Sequence, residues 1–315
     1  GREREQDIIW DATREVMERG RMRVVILEGD DGLGKAALAD WAAERTNEIG
    51  STHYSLISHR APGAADAGLT GMLSRLLRAT HMSPRELSAH IEELVKVGRI
   101  SSVSDAEDLY GLLAPGHAWR QDQTTAFESS VSTEERYALA TRILRTRFDA
   151  LPLILCVENV HFGLDALGFI RFLIDTELER DLPLLVLATV RASGLEADNP
   201  VWKFLNEQVA LHPRCTWLKI DRLSQEDTGR FIDELLPLEP GLRETVASHS
   251  GGSPSFARHL VQGLLDRRAL LADGDSYRLK DGEELRLPTD TRALWDTRAA
   301  EALERADEPD AIATE

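Results

Sequence analysis

With 54 acidic against 37 basic side chains in 315 residues, the chain carries a formal charge of −17. That balance argues against a broad nucleic-acid surface, which needs a basic stripe. No apolar stretch approaches the ~20 residues that span a bilayer, and no signal-peptide pattern opens the chain. The two cysteines, Cys156 and Cys215, show neither metal spacing nor a disulfide framework, which suits a reducing cytoplasm. The length accommodates two or three domains around a sizeable core. A first residue that is Gly rather than Met is what an excerpt of a longer protein shows.

In chain order, Ile8, Ala12 and Val16 recur at helical spacing and predict an amphipathic helix over residues 6–19. Arg23–Glu28 is a short apolar run of buried-strand type. Next comes Gly29-Asp30-Asp31-Gly32-Leu33-Gly34-Lys35-Ala36, the pattern G-x-x-x-x-G-K-[ST] with its last hydroxyl missing. In that pattern glycines and backbone N–H groups surround phosphates, the Lys reaches the β/γ-phosphates and the Ser/Thr binds Mg²⁺. Residues 36–49 follow as a helix with Leu38, Trp41, Ala42 and Ile49 on one face. Strand, glycine loop and helix together aim N–H groups and a helix dipole at an anion. A tight glycine turn between strand and helix is the plain alternative.

Ser51–His59 is a second strand, and residues 60–66 form an Ala/Pro/Gly loop. Leu69–Arg78 and Pro84–Val97 are helical, whereas residues 98–132 are weakly patterned and read as an insert or long loop. Ser132-Thr133-Glu134-Glu135 is a capping box opening a helix to about Asp149. Leu151–Val157 and Leu182–Ala188 are nearly all apolar, like parallel strands covered on both faces. Helical periodicity over Leu164–Leu178 separates them, and Cys215–Ile220 is a fifth strand. Alternating strands and helices predict an α/β domain with a parallel sheet over residues 1–222. Beyond it, Ser224–Leu236, Gly241–Ser248 and Pro254–Arg267 predict a small helical lid domain over 223–268. Residues 269–315 would hold a small hairpin, a helix over Thr289–Ala306 and a frayed acidic tail.

The strand Leu153-Ile154-Leu155-Cys156-Val157 ends in Glu158-Asn159. In phosphate-loop ATPases such a strand delivers a carboxylate to Mg²⁺, often followed by an acidic residue that activates water. A buried strand with a polar end is the alternative. Taken with the glycine loop, these motifs resemble the STAND class of bacterial signal-transduction ATPases, within the wider AAA+ and origin-recognition-like ATPases. The resemblance covers about residues 1–300. Gly1-Arg2-Glu3-Arg4-Glu5 matches the family's opening motif, which implies Arg2 near the nucleotide. Glu158-Asn159-Val160-His161-Phe162 resembles the Glu-Asp-hydrophobic-His-Trp stretch. Leu187-Ala188-Thr189-Val190-Arg191 resembles the sensor strand, which implies Arg191 near the γ-phosphate. Gly252-Ser253-Pro254 resembles the lid's G-x-P motif, which implies Pro254 against the adenine. As plain alternatives, Arg2 and Arg191 are solvated charges, His161 is a loop histidine, and Pro254 is a helix N1 proline.

Three departures fall on the chemistry. Ala36 lacks the Mg²⁺-binding hydroxyl and Ala37 cannot replace it. Asn159 stands where the family has a second carboxylate, leaving Glu158 as a weak metal ligand. Asp31 adds negative charge beside the loop. The retained groups are Gly29, Gly32, Gly34, Lys35, Arg191 and Pro254, with Lys35 expected as a solvent-accessible phosphate contact. They imply ATP or ADP binding, with Mg²⁺ weakened and hydrolysis weak or absent. The expected function is a nucleotide-dependent switch that sets the angle between core and lid. Its partners would be a Ser/Thr kinase domain before residue 1, helical repeats after residue 315, and other copies of the chain. The alternatives are a scaffold that has lost nucleotide use, and a working ATPase in which Glu158 and water compensate for Ala36.

Overall fold

The computed structural model describes residues 1–48, 50, 53–58, 68–117, 119, 132–147, 151–177, 183–191, 193 and 199–281. The expected 60–66 loop, the helix over 289–306, the frayed tail and Ile49 lie outside them. The chain divides into two compact units. The first comprises Arg2–Asp30 and Lys35–Ile220; the second comprises Gly1, Asp31–Gly34 and the segment from Asp221 onward.

The first unit begins with α1 (Glu3–Arg19), whose Ile9, Ala12 and Val16 are buried on one stripe. Gly20 ends it in the left-handed conformation at φ 66°, donating its N–H to the Val16 carbonyl at 3.0 Å. Then follow β1 (Arg23–Glu28), α2 (Lys35–Glu48), β2 (His53–Ser58), α3 (Gly68–Leu76) and α4 (Pro84–Lys96). Ser83 and Glu86 close a full capping box on α4. Within the expected 98–132 loop, the described residues 103–113 instead form a helix, α5 (Val103–Leu113), that buries Ala106, Leu109 and Tyr110. Ser102 caps it, accepting the Asp105 N–H at 3.0 Å. The Gly, Ser and Pro around this helix mask its short apolar stripe.

The remaining elements of this unit are α6 (Thr133–Arg147), β3 (Leu153–Glu158), α7 (Leu164–Glu177), β4 (Leu184–Val190), α8 (Pro200–Phe204) and β5 (Cys215–Lys219). The Ser132–Glu135 box forms on α6, with reciprocal bonds of 2.7 and 3.2 Å. Helix α8 and the π-helical turn after it, Leu205–Ala210, carry no strong signal in the sequence. Asn199 and Pro200 start α8 as a cap and an N1 proline.

All five strands are parallel, in the order β2-β3-β4-β1-β5. Side chains alternate across the sheet. Val24, Ile26, Leu155, Val157, Val186 and Ala188 join the core formed with α3, α5, α6 and α7. Val25, Leu27, Ile154, Cys156, Leu185 and Leu187 are equally buried on the other face, where α1 and α2 lie. Burial on both faces explains why these strands read as continuous apolar runs. The result is a five-stranded parallel α/β sheet flanked by helices.

The second unit contains α9 (Gln225–Leu235), α10 (Pro240–Ser250), α11 (Pro254–Asp266) and the antiparallel hairpin β6 (Leu270–Asp273) and β7 (Ser276–Leu279). Ile232, Leu242, Val246, Phe256, Leu260 and Leu264 form its own apolar core. The hairpin joins the α9–α10 link, where the Tyr277 N–H donates to Pro237 at 2.8 Å and the Glu239 N–H to Tyr277 at 2.9 Å. Inside this unit the Ser255 N–H donates to the Gly32 carbonyl at 3.1 Å. No helix among the described residues is long and apolar enough to cross a membrane.

Candidate functional site

The site begins where the strands of the first unit end. β1 continues its ladder one residue past Glu28, the Gly29 N–H donating to the Val190 carbonyl of β4 at 3.2 Å. The chain then turns into the glycine loop. Gly32 and Gly34 sit at φ +79° and +93°, backbone that only glycine adopts without strain. A side chain on Gly34 would meet no atom within 4 Å, so backbone geometry alone selects glycine there.

Lys35 opens α2, and here the structure corrects an expectation. The side chain is buried, with 8% exposure. Its Nζ donates to the Gly29 carbonyl at 2.8 Å and to the Asp30 carbonyl at 2.7 Å. An ammonium at the end of a loop otherwise faces its desolvation cost unmet, and the loop's own carbonyls offset it. Ala36 and Ala37 are exposed on the first turn of α2 and offer no polar side-chain atom.

Glu158 closes β3, one strand removed from β1 on the same sheet edge. The Ser58 hydroxyl, at the end of β2 and in register with it, donates to Glu158 Oε2 at 3.1 Å. Asn159 follows in the left-handed conformation, φ 55° and ψ 45°, which Asn and Asp tolerate better than other side chains. Its N–H donates to Thr189 Oγ1 of β4 at 3.0 Å. A short 3₁₀ turn, Val160–Phe162, comes next. His161 Nδ1 accepts the Arg191 N–H at 3.3 Å, which places its ring proton on Nε2 and gives it a part in holding the end of β4. The Arg191 Nε donates to Ser193 Oγ at 3.0 Å.

Ser58, Glu158, Asn159, Thr189, Arg191, Gly29 and Lys35 therefore share the carboxyl edge of the sheet, where ligands of open α/β folds bind. Arg2 belongs to the same unit as the N-cap residue of α1, and its guanidinium pairs with Glu5 at 2.9 Å. Pro254 lies in the second unit at N1 of α11. Ser253 is the cap there, accepting the Phe256 N–H at 3.3 Å. Ser58 and Thr189 were missed in the sequence. The one available signal was a hydroxyl at or next to the last residue of a strand.

Among the described residues no group of three or more His, Cys, Asp or Glu could hold a metal ion. Glu158 and Glu28 end β3 and β1 at the sheet edge, and the Glu28 carboxylate is taken up by the Trp217 indole N–H. A Mg²⁺ ion at Glu158 would depend on phosphate oxygens and water for the rest of its shell, a common arrangement for this ion. Behind the edge, burial pushes the Cys156 thiol up to about 12, with Glu158 adding to the shift. Burial likewise raises Tyr54, next to Cys156. Both groups stay protonated at neutral pH.

No protein-family model matches this chain, and no curated protein matches it. Among solved structures it is similar to the Aeropyrum pernix ORC1 protein, determined in complex with DNA. The identity is 14% and the TM-score 0.47, covering 97% of this chain and 66% of that one. It is similar to the Thermotoga maritima RuvB Holliday junction branch migration motor at 14% identity and TM-score 0.42, covering 95% and 69%. Domain III of the Thermotoga maritima replication initiation protein DnaA shares 16% identity at TM-score 0.43, with 92% and 90% covered. The chain thus spans about two thirds of the ORC1 and RuvB chains.

Proposed function

We propose that this chain is a nucleotide-binding regulatory module of the STAND class in a bacterial signalling protein, holding ATP or ADP with weak or absent hydrolysis. One observation carries the reading. The strand–glycine loop–helix unit ends in Lys35 on the same sheet edge that presents Glu158, and the loop glycines keep the backbone turn a polyphosphate needs. Gly29, Gly32, Gly34, Lys35 and the amides up to Ala37 would hold the phosphates. Glu158 would meet Mg²⁺ through water, with Arg191 toward the γ-phosphate and Pro254 toward the base. Ala36 and Asn159 support slow turnover. An amide is a poor proton acceptor, and losing a positioned base costs ~10²–10⁴ in rate. A kinase domain upstream, helical repeats downstream and self-association complete the proposed signalling context.

A second reading is favoured by one observation. Lys35 is satisfied by its own loop carbonyls, as in a scaffold that no longer uses nucleotide. Calorimetric titration with ATP and ADP, with and without Mg²⁺, separates the two. The switch reading expects saturable binding that Lys35→Ala weakens at least tenfold, with phosphate release near background. Absence of heat with either nucleotide supports the scaffold. Robust Mg²⁺-dependent turnover, lost in Lys35→Ala, would overturn both and make Glu158 part of a working ATPase.

A further inference from the structure

Away from the sheet edge, the first unit contains a cavity of about 300 Å³ where the end of α3 meets α4 and α6. Leu76, Leu77, Leu94 and Ile143 line it together with Arg78, His90 and Arg99. Leu77 and Ile143 are buried, whereas Arg78 and Arg99 are exposed, so the chamber has an apolar floor and a cationic mouth. Hydrogen bonds fix its walls. His90 Nε2 bonds the Leu77 carbonyl at 2.7 Å, joining α4 to the end of α3. The Thr146 hydroxyl donates to the Arg99 carbonyl at 3.1 Å, joining α6 to the turn after α4.

The placement of two arginines on one apolar cavity suits an anionic ligand. Among the described residues neither guanidinium has a hydrogen-bond or ion-pair partner, although the chain has 54 acidic residues. Arg14, Arg19 and Arg142 are paired, while Arg21, Arg85 and Arg268 share the unpaired state among the described residues; Arg78 and Arg99 differ from these in rimming an apolar cavity. Arg78 also stands at φ 57°, in the left-handed position after α3 where Ala79 N–H bonds the Ser74 carbonyl at 2.8 Å. Glycine relieves strain at that position; Arg268 takes the same conformation after α11, at φ 54°.

We propose that this cavity binds a small amphiphilic carboxylate, its apolar body among Leu76, Leu77, Leu94 and Ile143 and its carboxylate between Arg78 and Arg99. The volume lies at the small end of the ~300–1,000 Å³ typical of ligand pockets, which favours a single short chain. A planar guanidinium recognises a carboxylate through paired N–H groups. The proposal is independent of nucleotide binding, and its test is made without nucleotide.

The probes are octanoate, octanol and acetate, titrated calorimetrically into the whole chain. Octanoate is expected to bind at least tenfold more tightly than either of the others. Arg78→Gly is the informative variant, since it suits the left-handed backbone. It should melt at or above the wild-type temperature and bind octanoate about tenfold more weakly. Arg99→Gln should weaken octanoate without altering octanol. Ile143→Trp, with an unchanged circular dichroism spectrum, should block octanoate by filling the chamber. Equal affinity for octanoate and octanol, an unaffected Arg78→Gly variant, or no binding to folded wild-type protein would each overturn the proposal.

Discussion

Two side chains decide how much chemistry the sheet edge can perform. In the proposed nucleotide site, Ala36 would offer a metal no hydroxyl and Asn159 would offer water no carboxylate. Asn159 occupies a left-handed backbone position that aspartate also tolerates, so Asn159→Asp restores a carboxylate without new strain. Ala36→Thr and Asn159→Asp are each expected to change phosphate release little. Together they should raise it by ~10² or more, because both groups serve one metal–water arrangement. Phosphate-release assays with and without Mg²⁺ on both single variants and the double variant check this. An additive double mutant would mean that the two positions act separately. Lys35 bears on stability as well as on ligand binding. Its Nζ satisfies the Gly29 and Asp30 carbonyls inside the loop. Lys35→Ala should therefore cost about 1–3 kcal/mol in urea unfolding, the usual penalty for stranding buried polar groups. A variant with unchanged stability would show that water replaces the ammonium freely.

Among the elements, the turn before α11 is tightly constrained by backbone. Gly252 lies at φ +76°, and a Cβ there would stand 2.5 Å from the Leu223 carbonyl oxygen. Gly252→Ala should destabilise the chain by ~1–3 kcal/mol, seen as a lower melting temperature. Gly34→Ala, with open space around its Cβ, should meet backbone strain alone and cost less. The elements legible in the sequence were those with strong local signals. The strands β1, β3 and β4 are buried on both faces, and α4 and α6 begin at S-x-x-E boxes. Helix α5 was hidden by flanking loop residues, and α8 by its brevity. The glycine loop, Glu158 and Asn159 were visible because their spacing is local. The inward turn of Lys35 and the Ser58 and Thr189 contacts were not, since they depend on groups brought together by strand register. The cavity beneath Arg78 and Arg99 was equally invisible, because it is assembled from three helices.

At the scale of the whole chain, buried thiol and phenol groups set an alkaline limit. Burial pushes Cys156 from 9.0 to about 12 and Tyr137 from 10.0 to about 12. Unfolding releases both to ionise at their ordinary values, so the folded state retains protons that the unfolded state loses. Their contribution is complete below about pH 9 and disappears as the pH rises toward 12. Melting temperatures should accordingly fall across that interval, and Cys156→Val should reduce the slope. A melting curve independent of pH there would show that neither group is protected in solution.

The order β2-β3-β4-β1-β5 also has a temporal consequence. Strand β1 is made first, yet its neighbours are β4 and β5, the last two strands of the sheet. Chain closure over so long an interval is slow. During translation the segment leading into the glycine loop waits for Leu184–Val190 to cover one edge and for Cys215–Lys219 to cover the other. A nascent chain arrested after Val190 has only one of the two β1 edges covered, and an open apolar edge recruits other strands. Strand β1 therefore gains both of its neighbours only when synthesis has passed Lys219.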